Sequence, residues 1–352
     1  MNQTKATFDF KTSAGNFFED YRIGQVIRHA VPRTATEGDR ALYTALYPSR
    51  FALYSSDEFA RASGLARSPL EDLIGFHIVF GKTVPDVSLN AVANLGYAEG
   101  RFLAPVHPGD TLTSVSEVIG LKENSNGTSG VVYVRTTGFR QDGAPVMSYV
   151  RWVMVRKRDH AAPAPLTVIP TLATVVAAES LAIPKGLDFS TYDEVLAGGR
   201  HRWGDYAVGE RIDHVDRVTI EEAEHMMATR LWQNTSKVHF DATLREDGRR
   251  LIYGGHVISL ARALSFNGLT NAQMIAAINA GSHANPCFAG DTVGAWSEVL
   301  DLAETANPSV GALRLRLVAH TKEAEPFSLK DENGRYAKGV LLDLDYWALL
   351  PK

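Results

Sequence analysis

Cysteine is almost absent from this chain. The single thiol of Cys287 has no internal disulfide partner and cannot build a multi-thiolate metal site. That scarcity makes a reducing, cytoplasmic compartment the default expectation. Long apolar runs are also missing. None comes near the ~20 residues of a membrane span, and Met1 to Phe18 has no apolar signal core, so neither a membrane partner nor a leader is expected. Nor is there an excess of one charge. The 36 Lys and Arg stand against 40 Asp and Glu, a net −4, which offers no basic face to nucleic acid. What remains is a globular composition, 45% hydrophobic and 22% charged, over 352 residues, enough for about two domains.

The chain repeats itself. Asp20-Tyr21-Arg22-Ile23-Gly24 returns as Asp205-Tyr206-Ala207-Val208-Gly209, 185 residues on. Gly75-Phe76-His77 returns as Gly254-Gly255-His256, 179 on, and Gly109-Asp110-Thr111 as Gly290-Asp291-Thr292, 181 on. Three ordered matches at nearly one offset indicate tandem copies of one domain, over residues 1–160 and 201–352. Between them, 161–200 holds prolines at 163, 165, 170 and 184 and reads as a surface linker with one short helix near Thr191 to Leu196.

Within each copy a polar helix (Glu37 to Leu46; Glu221 to Leu231) precedes an irregular loop, a second helix opening at Gly75 or Gly254, and then strands. The second helix of the later copy buries Val257, Leu260, Ala261 and Leu264 at i, i+3, i+4, i+7. In the first copy it should end before Pro85. Leu313, Leu315 and Leu317 alternate with Arg314 and Arg316, a half-buried strand, as do Val340, Leu342, Leu344 and Tyr346 with their neighbours. Val131–Val134 and Tyr149–Val155 are β-rich. Asn126-Gly127 and Asp142-Gly143 sit at hairpin turns. The fold class is α+β: in each half an antiparallel sheet covers a central helix.

The chemistry concentrates in the later copy. Asn234 and His239, five residues apart, precede the helix that opens with Gly254-Gly255. A first-turn amide beside a glycine lets an oxyanion approach the backbone. At the 185 offset Asn234 falls opposite Ser49 and His239 opposite Tyr54, so the polar pair is altered in the first copy. One active half and one half kept for packing and substrate binding follows. The plainer alternative makes His239 a core histidine and Asn234 a turn residue.

Asn234-Thr235-Ser236-Lys237-Val238-His239-Phe240-Asp241 resembles the Asp-x-Asn-Pro-x-His-x-Asp motif of the MaoC-type (R)-specific enoyl-CoA hydratases. Longer stretches, among them Gly15–Asp20, Phe76–Asp86, Tyr149–Asp159 and Ile252–His256, are similar to that family's fused branch, the mesaconyl-CoA hydratases or β-methylmalyl-CoA dehydratases. The resemblance covers nearly all of the chain outside the linker. It implies a tandem double hotdog fold, no cofactor, and a hydro-lyase adding water to an α,β-unsaturated thioester, here a branched C4-dicarboxylic acyl-CoA. Catalysis would fall to His239 as acid/base, Asn234 as the holder of water, and the Gly255 N–H as the donor to the thioester oxygen. The family has a carboxylate where Asn234 stands, and an amide accepts no proton. Asp241 is the nearest other carboxylate, either pointing away or capping the next segment.

Tyr253 and His256 flank Gly255 and would line the pocket, with packing as the alternative. His77 repeats His256 in the altered half, which favours a structural role for both. A second substrate carboxylate asks for a cation. Lys237 and Arg262 are the candidates near the motif, with Arg50 beside its counterpart and solvent as the alternative for each. Glu221, Glu222, Glu224 and His225 read as a helix first turn rather than a metal site. Arg314 and Arg316 face away from the core, toward solvent or a CoA phosphate. Rival functions are hydration of other enoyl-CoA esters, a hotdog thioesterase, and a non-catalytic acyl-CoA binding module. A thioesterase would carry a carboxylate on its central helix, which neither Gly75–Pro85 nor Gly254–Leu264 does. The expected partner is an acyl-CoA, with a homo-oligomer, in the simplest case a homodimer, also compatible.

Overall fold

The computed structural model describes residues 11–352. Residues 1–10, which carry most of the stretch read for a leader, lie outside the described part. The first half runs β1 (Val26–Arg28), β2 (Arg33–Thr34), α1 (Glu37–Leu46), α2 (Ala52–Ser55), α3 (Asp57–Ala62), α4 (Asp72–Thr83), β3 (Ala91–Phe102), β4 (Thr111–Glu123), β5 (Ser129–Phe139) and β6 (Pro145–Arg156). After a connecting segment with α5 (Glu194–Ala197), the second half repeats the order. It comprises β7 (Arg211–Thr219), α6 (Glu222–Leu231), α7 (Lys237–Phe240), α8 (Gly254–Leu264), α9 (Phe266–Leu269), β8 (Met274–His283), β9 (Thr292–Glu304), β10 (Val310–Thr321) and β11 (Val340–Pro351).

All of these strands except β2 lie in the order β1-β4-β5-β6-β3-β8-β11-β10-β9-β7, with β2 beside β4. The β3–β8 pairing, Tyr97 opposite Gly281 and Arg101 opposite Ala277, joins the halves into one antiparallel sheet. The sheet wraps α4 and α8. Both helices are buried almost throughout, and polar groups such as His77 and Ser259 meet each other inside. This is the tandem double hotdog.

Strand periodicity decides which face goes where. Leu313, Leu315, Leu317 and Tyr346 pack inward with Ile258 and Ala261. On the outer face Arg314 pairs with Asp345, and Arg316 with Glu298 and Asp343. Trp347 also points outward but is buried, because the connecting segment lies over it. Val176, Leu187, Phe189 and Tyr192 pack there, and the Trp347 indole donates to the Val176 carbonyl at 3.0 Å. The segment is thus a cover for the sheet as well as a tether.

One expectation is corrected. The central helix of the first half begins at Asp72, not Gly75, and Pro85 sits inside a wide turn, Val84–Ser88, that prolongs it. Helix starts at Asp72 and Gly254 differ by 182, and His77 Nε2 meets Ser259 Oγ at 2.7 Å with the same difference. Asp72 therefore stands where Gly254 stands, and the short Gly-x-His likeness is out of structural register. The first helix does carry a carboxylate.

Candidate active site

Asn234 is delivered by a forced turn. Helix α6 stops at Leu231, Gln233 takes φ +54, and the Asn234 amide bonds the Thr229 carbonyl at 2.9 Å. The left-handed residue reverses the chain and buries the Asn234 side chain, whose Oδ1 accepts the Ser236 N–H at 3.2 Å. Lys82 of α4 donates to Gln233 Oε1 at 3.1 Å, so the first half holds this loop.

His239 lies in the single-turn helix α7. The Leu251 N–H bonds the Val238 carbonyl at 3.1 Å, and His239 Nδ1 meets the Leu251 carbonyl at 2.7 Å. A carbonyl only accepts, so Nδ1 carries the proton and Nε2 keeps its lone pair. Nε2 has no hydrogen-bond partner among the described residues. Burial, opposed by the Leu251 hydrogen bond, pushes the imidazole pKa down to about 4, so the ring is a neutral base at pH 7.

Asn234, His239, Tyr253 and Gly254 share the wall of one cavity of about 300 Å³. Helix α8 starts there. The Gly254 and Gly255 amides precede the first intrahelical hydrogen bonds and have no partner among the described residues; Gly254 lines the cavity, and Gly255 lies just behind it against the Tyr253 ring. A side chain at either position would force its neighbour to move: a Cβ on Gly254 would fall 2.3 Å from the His283 ring, and one on Gly255 2.4 Å from the Tyr253 ring. The wall therefore combines a neutral base, a carboxamide and a helix N-terminus with open donors, in a mostly apolar enclosure. Such a set can polarise a carbonyl and move a proton between water and carbon.

Other residues singled out from sequence lie elsewhere. His256 does not line this cavity; it is buried behind it, with Nδ1 3.0 Å from the Tyr47 hydroxyl. Arg262 does not reach it either. Its guanidinium stacks 3.7 Å over Phe51, bonds the Ala272 carbonyl and fastens the two halves. Lys237 is exposed, with Nζ 3.5 Å from Asn90 Oδ1, and Arg50 is exposed over the Phe266 ring. Asp241 caps the next turn through the Thr243 amide. His225 Nε2 accepts the Tyr253 N–H at 3.0 Å, and Glu222 pairs with Arg250. His77 bridges Ser259 and the Tyr253 hydroxyl at the seam between the central helices.

Sequence reasoning missed the rest of the wall. His283, at the end of β8, rests on Gly254, with Nε2 3.2 Å from the Tyr97 hydroxyl; burial pushes its pKa down to about 4. Tyr97, Asn94 and Arg151 reach the cavity from β3 and β6 of the first half. Nothing near the motif points to His283. Arg151 had a signal: it shares strand parity with Tyr149, Val153 and Val155, all buried.

Residues 7–332 match the family model described as mesaconyl-CoA hydratase. The chain is 73% identical over 342 residues to a protein named mesaconyl-CoA hydratase from Cereibacter sphaeroides, covering 97% of this chain and all of that one. It is 58% identical over 348 residues to a protein named beta-methylmalyl-CoA dehydratase from Chloroflexus aurantiacus, covering 97% and 99%. A crystal structure of a MaoC domain protein dehydratase from the same organism superposes with a TM-score of 0.95 at 57% identity, covering 97% of this chain and 99% of that one.

Proposed function

The chain belongs to the mesaconyl-CoA hydratase family, and from that premise we propose that it is a hydro-lyase interconverting mesaconyl-CoA and β-methylmalyl-CoA. The observation that carries the mechanism is the His239 tautomer. With Nδ1–H spent on the Leu251 carbonyl, a basic Nε2 is left at the wall of an apolar cavity beside the start of α8.

In the hydration direction Nε2 takes a proton from water while Asn234 holds that water. The oxygen bonds C3 of the acyl chain, the C2=C3 electron pair moves toward the carbonyl, and the thioester oxygen becomes negative. The amides of Gly255 and Gly254 donate to it, aided by the helix dipole. The imidazolium then returns its proton to C2. One water is consumed, one C–O and one C–H bond are made, and the base is restored. Dehydration runs the same steps backward. Asn234 accepts no proton, so a single ring acts in turn as base and acid.

Incubation with mesaconyl-CoA tests this by loss of the conjugated-enone absorbance. Hydration only of crotonyl-CoA would move the reading to a general enoyl-CoA hydratase, release of free thiol to a thioesterase, and binding without change to an acyl-CoA binding module. A cytoplasmic location belongs to the same reading, supported by the buried free thiol of Cys287. So does a homodimer as the simplest assembly; a monomer mass by light scattering removes it.

A further inference from the structure

The first half contributes to the cavity wall a cation with no anion. Arg151 projects from β6, directly opposite Tyr97 of β3, and is fully buried. Its Nη2 donates to Thr83 Oγ1 at 2.7 Å and lies 3.4 Å from Ser88 Oγ; Nη1 lies 3.5 Å from the same oxygen. The Phe80 ring lies 4.3 Å beneath the guanidinium carbon. All of these groups are neutral. Nε is buried with no partner, and no carboxylate lies within ion-pair distance among the described residues. Asn94, on β3, lines the same cavity, and both polar atoms of its carboxamide are buried and unpartnered.

Among other enclosed cations, Lys157 meets Glu123, Arg314 meets Asp345 and Arg33 meets Asp39; Arg262 and Lys82 meet only neutral oxygens, but neither lines this cavity. A buried guanidinium lacking an anion is costly, and a carboxamide with both ends unsatisfied adds to the cost. A ligand that brings a carboxylate removes the first penalty and the donor half of the second, because a guanidinium fork and an amide N–H are the donors a carboxylate accepts from.

We propose that Arg151 and Asn94 form a carboxylate subsite that selects acyl-CoA thioesters ending in a second carboxylate. Its catalytic meaning rests on the hydratase reading above. In mesaconyl-CoA the free carboxylate is bonded to C3, the carbon that receives the oxygen of water. Pairing it with Arg151 would orient C3 relative to His239 and offset the repulsion between that carboxylate and incoming hydroxide.

Succinyl-CoA and butyryl-CoA are unreactive toward hydration and differ at the chain end, carboxylate against methyl. Their dissociation constants, measured by calorimetry on the whole protein, read the subsite without turnover. The wild type should prefer succinyl-CoA on the order of 10²-fold, as a charged hydrogen-bonded contact supplies. Arg151→Gln should bring that ratio close to one, and Arg151→Lys should restore part of it. If Arg151→Gln does not yield folded protein, Asn94→Asp, which sets a like charge beside the ligand carboxylate, should lower the ratio at least tenfold. A wild type without preference, or variants that weaken both ligands equally, overturns the subsite. A preference that persists while mesaconyl-CoA goes unhydrated overturns the hydratase reading instead and leaves the subsite standing.

Discussion

The two halves place the same helix start in the same relation to the sheet and furnish it with opposite chemistry. At the start of α8, Gly254 and Gly255 leave amides open, with His239 and Asn234 close by. At the start of α4 the corresponding positions are Asp72 and Leu73, with Glu71 just before them. Ser49, opposite Asn234 in the repeat, donates to Glu71; Tyr54, opposite His239, donates to Asp72. Asp72 also accepts the Ile275 N–H at 2.6 Å, from β8 of the other half. There is space there too, a hollow of about 410 Å³ lined by Ser49, Tyr54 and Glu71. An enolate oxygen brought to it would meet the Glu71 carboxyl group instead of the open amides of a helix start. Burial pushes both Glu71 and Asp72 up, Asp72 to about 7, and each is hydrogen-bonded to its neighbours. A duplicated fold can thus keep its architecture while its copies furnish the same helix start differently, with open amides beside an imidazole in one and hydrogen-bonded carboxyl groups in the other.

The strongest way to break the comparison is to remove the base. His239→Ala should lower kcat/KM for mesaconyl-CoA by about 10³, within the 10²–10⁴ that general acid–base catalysis contributes. Circular dichroism should be unchanged. A variant keeping more than a tenth of the rate would put the working base elsewhere, with His283 the first ring to examine.

Next in size is the helix start. Gly254→Ala sets a methyl 2.3 Å from the His283 ring, so the ring or the helix start must shift. A displacement near 1 Å of groups that position substrate costs about 10² in rate. Steady-state kinetics should show the loss mainly in kcat. An unchanged kcat would mean that the α8 amides are not the donors to the thioester oxygen.

The α8 boundaries were legible because a helix enclosed by its own sheet must repeat apolar residues at 3.6, and Val257, Leu260, Ala261 and Leu264 do. The α4 start was not. Leu70, Leu73 and Ile74 continue the apolar pattern, but two acids interrupt it, and acids near a helix start look like caps unless their burial is known. The motif pointed to His239, which lies on the cavity wall. The first half's share of the wall was not, because Tyr97 and Arg151 meet only through the β3–β6 register, a long-range pairing that no local pattern encodes. Of the two cations chosen from sequence, Lys237 lies within the motif but is exposed, and Arg262 is turned by its helix toward Phe51. Proximity in sequence misled where strand parity at Arg151 pointed inward.

A smaller effect lies on the pH axis. His239 must be neutral to take a proton, and burial holds its pKa near 4 rather than near 6.5. The base form is therefore fully present above the ordinary histidine range and is lost as pH falls through about 4. The kcat/KM should stay level between pH 7 and 5 and then fall, approaching tenfold per unit below 4. Brief assays with recovery checked at pH 7 separate protonation from unfolding. A half-maximal rate near pH 6.5 would mean that the ring is solvated and the cavity open.

The smallest predicted effect on rate belongs to the residue that stands where the base stands in the other half. Tyr54→Phe removes the hydroxyl bonded to Asp72 and changes nothing in the wall around His239. Turnover of mesaconyl-CoA should stay within about twofold, since neither the base nor the open amides are touched. Stability should fall by ~1 kcal/mol, because a buried carboxyl group loses one of its two donors. Denaturant unfolding reads that loss as a lower midpoint at constant slope. The two substitutions form a matched pair, one at each copy of the repeat: His239→Ala should cost far more in rate than the loss of its Leu251 hydrogen bond costs in stability, and Tyr54→Phe stability without rate. A tenfold loss of rate in Tyr54→Phe would show that the hollow at the start of α4 takes part in turnover, and the division of labour between the copies would have to be redrawn.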